Sequence, residues 1–333
     1  MAPAKWYQSR VIELMSDRIV YFNGEYLPEA AVGVPLYDSA LQIGDMCFEV
    51  TRTFRGEPFR LRQHLERLAG SLAALKIDVG QGLAELESIT LEALRRNQLT
   101  EPTEVDWQII HNVSRGPTGI LAEVYPPVRR RPTVIISCFP ITHKLASVAE
   151  KYTKGVDLVV PRQRAIPPEL LPTHIKTRGR LHYKLADLEI EAEHPGCQAV
   201  LLDASGQITE GTNNNVFLVR DGTVLTPPAE VVLSGVTRGV VLELAAKEGI
   251  AVEEGRLEPE DALAADEIFV TSTSVGILHA RTFNGQLIRQ GTIGPVATRL
   301  RGALDRYVGL SFAEQAAACA ARLQQTPGSN LPR

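Results

Sequence analysis

Disulfide chemistry has little to work with in this 333-residue chain: its four cysteines, Cys47, Cys138, Cys197 and Cys319, lie far apart with no CxxC pair. They read as buried free thiols in a reducing compartment. The seven histidines are scattered without metal-ligand spacing, and Gly-x-Gly-x-x-Gly is missing, which excludes a metal box and a dinucleotide fingerprint. No internal repeat appears. Positive charge is not in excess either; the formal net charge of -4 gives no electrostatic reason to bind nucleic acid. The first thirty residues hold charges throughout and no apolar run suited to a signal peptide or a membrane span, so the expectation is a cytoplasmic protein with no membrane anchor. What the chain has is apolar content: 44% hydrophobic residues over this length is enough for two domains, each with its own core.

Taken in order, residues 1–17 lack a core pattern and are expected to be an N-terminal extension that packs on a partner subunit. Ile19-Val-Tyr-Phe, Asn23-Gly24 and Glu-Tyr-Leu predict a β-hairpin through a type I′ turn. The segment 34–54 is expected to end in a strand with Phe48, Val50 and Arg52 on one face and Glu49 and Thr51 on the other; one of these faces is expected to line a pocket. Leu61, Leu65, Leu68, Leu72 and Leu75 recur at helical spacing, a second helical run covers about 81–97, and 104–116 and 133–139 predict strands. Domains are expected at 18–140 and 156–325, with an interdomain segment at 141–155 and a tail at 326–333. Leu181, Leu185, Leu188 and Ala192 predict a helix, as do 236–249 and 293–308.

The chemistry concentrates around Lys176, between an apolar neighbour and a Gly-containing turn ahead of that helix. A free lysine amine titrates at about 10.4; desolvation or a nearby cation lowers this and lets the amine condense with an aldehyde. One lysine among 35 Lys and Arg proves nothing alone. Glu210 follows 34 positions later, between β-rich runs, before Gly211 and three Asn. Gly235-Val236-Thr237 opens a helix, and Thr271-Ser-Thr273-Ser274 closes a strand; such sites offer backbone amides and hydroxyls to phosphate. Lysine, carboxylate, helix start and hydroxyl turn, in that order, resemble the fold-type IV (class IV) pyridoxal-phosphate-dependent aminotransferase family. That family contains branched-chain and D-amino-acid transaminases and aminodeoxychorismate lyase. The likeness runs from about residue 19 to about 304.

The resemblance implies an α+β, two-domain fold, a homodimer, and pyridoxal 5'-phosphate at the domain interface, carried by Lys176. It implies Glu210 against the pyridine nitrogen, and phosphate held by Arg67 of the pattern His64-x-x-Arg67-Leu68, by the amides of Val236 and Thr237, and by Thr273 and Ser274. For substrate, Phe48, Val50 and Trp107 offer apolar surface, while Arg52, Arg115 and backbone amides near Ser274 are all candidates for a carboxylate. The chain departs from the family at several points. Val50 and Ile43 stand where branched-chain members have Gly and Tyr, the Arg-x-His of D-amino-acid members is absent after Arg115, and Leu181 replaces a Tyr that meets the cofactor's phenolic oxygen. His182 or Tyr183 is then a substitute, or the contact is missing. The expected activity is transamination between an apolar branched-chain or D-amino acid and 2-oxoglutarate or pyruvate. The alternatives are an aminodeoxychorismate-type lyase, an (R)-amine transaminase, or a cofactor-free binding protein.

Overall fold

The computed structural model describes residues 18–100, 105–127 and 130–325. The expected extension 1–17 and tail 326–333 lie outside the described residues. The chain forms two compact units; the first runs to Ile141 and takes in Lys176–Gly179, and the second comprises Thr142–Ile175 and the chain from Arg180 onward.

In the first unit, β1 (Ile19–Phe22) and β2 (Glu25–Pro28) form a hairpin. Its turn places Asn23 at φ 49° and Gly24 at φ 104°, the positive values that Asn-Gly adopts at low cost. A short helix α1 (Ser39–Ile43) is capped by Asp38, whose side chain accepts from Ala40 N–H at 2.9 Å. Then follow β3 (Met46–Phe54), β4 (Glu57–Pro58), α2 (Leu61–Ala74), α3 (Leu83–Gln98), β5 (Trp107–Ser114) and β6 (Thr133–Pro140). The six strands make one antiparallel sheet in the order β2-β1-β6-β5-β3-β4. Strand alternation assigns its faces. Cys47, Glu49 and Thr51 pair with Val113, His111 and Ile109 and face α2 and α3, because Glu49 meets His64 and His111 meets Thr90. Leu61, Leu65, Leu68 and Leu72 are buried along α2, as their spacing requires. The opposite face carries Phe48, Val50, Ile110 and Asn112.

The second unit holds α4 (Thr142–Ala146), α5 (Lys151–Lys154), β7 (Val156–Val159), α6 (Leu181–Glu193), β8 (Gln198–Leu202), β9 (Ile208–Gly211), β10 (Asn215–Arg220) and β11 (Thr223–Thr226). It continues with α7 (Val236–Lys247), β12 (Val252–Glu254), α8 (Pro259–Leu263), β13 (Glu267–Ser272), β14 (Gly276–Phe283), β15 (Gln286–Leu287), α9 (Pro295–Val308) and α10 (Phe312–Gln325). The segment expected between domains, 141–155, therefore carries two short helices. Strands run β12-β11-β10-β13-β14-β7-β8-β9, and β9 pairs back onto β10, so β10, β13, β14, β7, β8 and β9 close into a ring. Ala186 and Ile190 of α6 pack on Val159, Ala199 and Leu201 of that ring. The closing hairpin puts Glu210 directly opposite Asn215. Helix α10, which apolar spacing does not predict, packs on α4 and buries Phe312.

Candidate active site

Lys176 belongs to the first unit although its neighbours in sequence belong to the second. Residues 176–178 lie alongside β3: Thr177 pairs with Cys47 in an isolated antiparallel bridge, Phe48 N–H donates to Lys176 O at 2.9 Å, and Arg178 N–H donates to Met46 O at 2.8 Å. Lys176 N–H donates to Ser71 Oγ of α2 at 3.1 Å. With its backbone fixed on two elements, the half-buried side chain carries its amine 4.7 Å from the centroid of the Phe48 ring.

Arg67 presents Nε and Nη2 to the two oxygens of Glu49 at 2.7 and 2.8 Å, and His64 Nδ1 meets Glu49 Oε2 at 2.8 Å. Glu49 is fully buried. Burial raises its pKa, but the His64 hydrogen bond and the Arg67 charge outweigh that and hold it at about 2. An ionised carboxylate only accepts, so His64 carries its proton on Nδ1. A carboxylate on the helix-covered face of β3, facing a His-x-x-Arg helix, is the signal that identifies Glu49, which strand alternation assigned only to a face.

In the second unit Glu210 Oε1 accepts from the Tyr183 hydroxyl at 2.7 Å, and Oε2 accepts from Asn215 Nδ2 at 3.2 Å and from Leu233 N–H at 3.1 Å. Tyr183 therefore engages Glu210, and Leu181, at the position of the family's Tyr, is 70% exposed. Arg180 stacks on the Tyr183 ring at 4.3 Å and donates to Thr212 O. Helix α7 begins at Val236 with Gly235 as N-cap and no side-chain cap, while Thr237 is buried. A Cβ on Gly235 would run into Asn215 Oδ1, so the backbone there sits hard against the residue that holds Glu210. Thr273 and Ser274 are half-buried in the turn from β13 to β14, which Tyr152 braces by donating to Val275 O at 2.8 Å.

Three of the substrate candidates have the following surroundings. Trp107 is 1% exposed and, by strand alternation with Ile109 and His111, lies on the helix-covered face, away from Phe48 and Val50. Arg52 is fully buried, with Nη2 3.6 Å from Asp106 Oδ2 and its guanidinium 4.1 Å above the Phe54 ring. Arg115 is forked onto Asp45, with Nε at 2.7 Å, and caps the backbone carbonyls of Leu75 and Lys76. Strand alternation tells which residues share a face but not which end of that face the fold covers, and the burial of Arg52 belongs to the second kind of information.

Among the described residues no group of His, Cys, Asp and Glu could hold a metal, and no helix is long and apolar enough to cross a membrane. The sequence model of the family described as amino-transferase class IV matches residues 46–283. The chain belongs to the class IV aminotransferases. These are the fold-type IV pyridoxal-phosphate enzymes expected from the ordered motifs, and the chain is an aminotransferase. It is 33% identical over 284 residues to the putative branched-chain-amino-acid aminotransferase of Methanocaldococcus jannaschii, covering 85% of this chain and 93% of the relative. It is 31% identical over 289 residues to the branched-chain-amino-acid aminotransferase of Escherichia coli K12, covering 85% and 91%. The crystal structure of the Escherichia coli branched-chain aminotransferase superposes with a TM-score of 0.77 at 31% identity, over 89% of this chain and 95% of that one. A T.th. branched-chain aminotransferase with pyridoxamine 5'-phosphate gives 0.79 at 28% identity, over 89% and 95%. Each unit by itself carries residues suited to such a cofactor: the first a fixed amine for an aldehyde, the second a clamped carboxylate suited to a ring nitrogen and a helix start with no side-chain cap for phosphate.

Proposed function

We propose that this aminotransferase moves an amino group between an apolar amino acid, branched-chain in the first instance, and 2-oxoglutarate or pyruvate, with Lys176 carrying the cofactor. The observation that supports it most is the placing of the Lys176 amine over Phe48, on a backbone pinned to β3 and Ser71. When bound, pyridoxal phosphate supplies an aldehyde for the amino group and a ring that takes up electron density as the substrate's α-proton leaves. The Lys176 amine would be the base that takes that proton and the acid that returns it. Glu210 would favour a proton on the cofactor's ring nitrogen. The amides of Val236 and Thr237 and the donors of Thr273 and Ser274 would hold its phosphate, and Arg67, kept in place by Glu49, is the first unit's candidate for the same role. Phe48 and Val50 offer apolar surface, and covering it with a branched side chain gains about 25 cal/mol per Å². The working form is proposed to be a cytoplasmic homodimer.

A half-reaction panel tests this. The yellow enzyme is mixed with L-leucine, D-alanine, D-glutamate, L-glutamate and a chiral arylamine, and conversion to the pyridoxamine form is followed. Conversion by L-leucine with release of its keto acid is expected, and Lys176→Ala should lose the bound chromophore. Pyruvate release from aminodeoxychorismate, with no donor converting the cofactor, would make the enzyme a lyase. Borohydride labelling of Lys184 instead of Lys176 would remove the central assignment.

A further inference from the structure

The two arginines that the sequence offers to a substrate carboxylate are both taken, Arg52 by Asp106 in the interior and Arg115 by Asp45. A third guanidinium stands beside the lysine. Residues 176–178 run extended against β3, where residues two apart project to the same side. Lys176 and Arg178 therefore point one way and Thr177 the other. Both reach a single ring: the Lys176 amine is 4.7 Å and the Arg178 guanidinium carbon 3.9 Å from the Phe48 centroid. Arg178 Nε donates to the neutral amide oxygen of Asn112 at 2.8 Å, and Asn112 is the residue paired with Phe48 across β3 and β5. An aromatic face and a neutral acceptor are thus among the contacts that orient the guanidinium, and the Arg178 side chain is exposed. A planar guanidinium takes a carboxylate through two parallel hydrogen bonds, which a point charge does not reproduce.

We propose that Arg178 takes the α-carboxylate of the amino-acid and keto-acid substrates, and so selects acids over plain amines. The inference rests on the reading of Lys176 as the reacting amine. An α-amino acid needs its nitrogen at the lysine and its carboxylate one carbon away, and Phe48 gathers an amine and a guanidinium on one surface.

The test is a binding titration on the cofactor-loaded enzyme, read by the change in cofactor absorbance. The ligands are 4-methylpentanoate and its neutral amide, with wild type, Arg178→Gln and Arg178→Lys. Arg178→Gln is expected to weaken the acid roughly tenfold or more while leaving the amide within about twofold, with partial recovery in Arg178→Lys. Half-saturation by L-leucine in the half-reaction should rise in the same order. Equal affinity of wild type and Arg178→Gln for the acid overturns the proposal, as does an equal loss for acid and amide, which would make the role structural. Should Arg178→Gln hold no cofactor, the acid-to-amide ratio of Arg178→Lys decides: a ratio lowered from wild type supports the proposal and an unchanged one overturns it. Cofactor attached to another lysine, found by borohydride labelling, would instead fail the reading beneath it.

Discussion

The donors that hold Glu210 include groups from different stretches of chain: Tyr183 on α6, Asn215 on β10 and the backbone of Leu233 ahead of α7. Burial, and then the charge of Glu210, raise the Tyr183 pKa well above that of a free phenol, so its hydroxyl stays a donor through the working range. A hydrogen bond to a charged group contributes about 1.5 to 3 kcal/mol. Tyr183→Phe is therefore expected to slow α-proton removal roughly tenfold to a hundredfold, with a larger loss in Glu210→Gln. A single-turnover rate with L-leucine that Tyr183→Phe leaves unchanged would take the phenol out of this role. Glu210 stood out in the sequence as a lone carboxylate among β-formers. Tyr183 was harder to place, since spacing alone offers it, His182 or neither as the stand-in for the Tyr missing at Leu181. Only the ring position of Glu210 decides that the hydroxyl goes to the carboxylate.

At the scale of elements, what depends on local pattern was legible. The Asn23-Gly24 hairpin, the leucine repeat of α2 and the Gly-Val-Thr start of α7 formed within a few residues of their expected bounds. Sheet order was not, because β1 pairs with β6 across more than a hundred residues, and no spacing encodes that. Helix α10 escaped for another reason: its Ala-rich run has strong helix propensity but few large side chains to mark a face. Helix α6 was expected from Leu181, Leu185 and Leu188, yet these are 70%, 48% and 51% exposed, while Ala186 and Ile190 turn to the core. A leucine stripe left in solvent on a helix is a surface for a partner, and a second copy of this chain is the proposed occupant. Replacing Leu185 and Leu188 together by Lys should shift sedimentation from dimer to monomer; an unchanged dimer would place the interface elsewhere.

The molecule as a whole is expected to be sensitive to acid through the core of its first unit. Thr90 donates to Leu86 O, so His111 Nε2 must donate to Thr90 Oγ1, leaving His111 Nδ1 without a partner. Burial lowers His111 to about 4, and also lowers His64. From pH 6.5 downward the unfolded chain takes a proton that the folded His111 refuses until about pH 4, so stability falls across that window by up to about 1.4 kcal/mol per pH unit, and His64, lowered as well, acts in the same direction. Glu49 adds to the loss from its ordinary 4.5 down to about 2, where its carboxylate is finally protonated. Urea midpoints at pH 7.5, 6, 5 and 4.5 should decline, and His111→Gln should flatten the decline; a flat profile in wild type would contradict the buried neutral histidines. In the second unit the closed ring of strands acts on a different quantity. An open sheet can slide one strand and disturb only its neighbour, but in a closed circuit the offsets around all six strands must add up. A one-residue slip of β9 would turn Glu210 to the opposite side of the wall, and the ladder from β7 to β14, itself irregular between Ala280 and Thr282, shares in forbidding it. The aim of one carboxylate is thereby a property of the whole circumference, and insertions in strands distant from Glu210 will be felt there as misalignment.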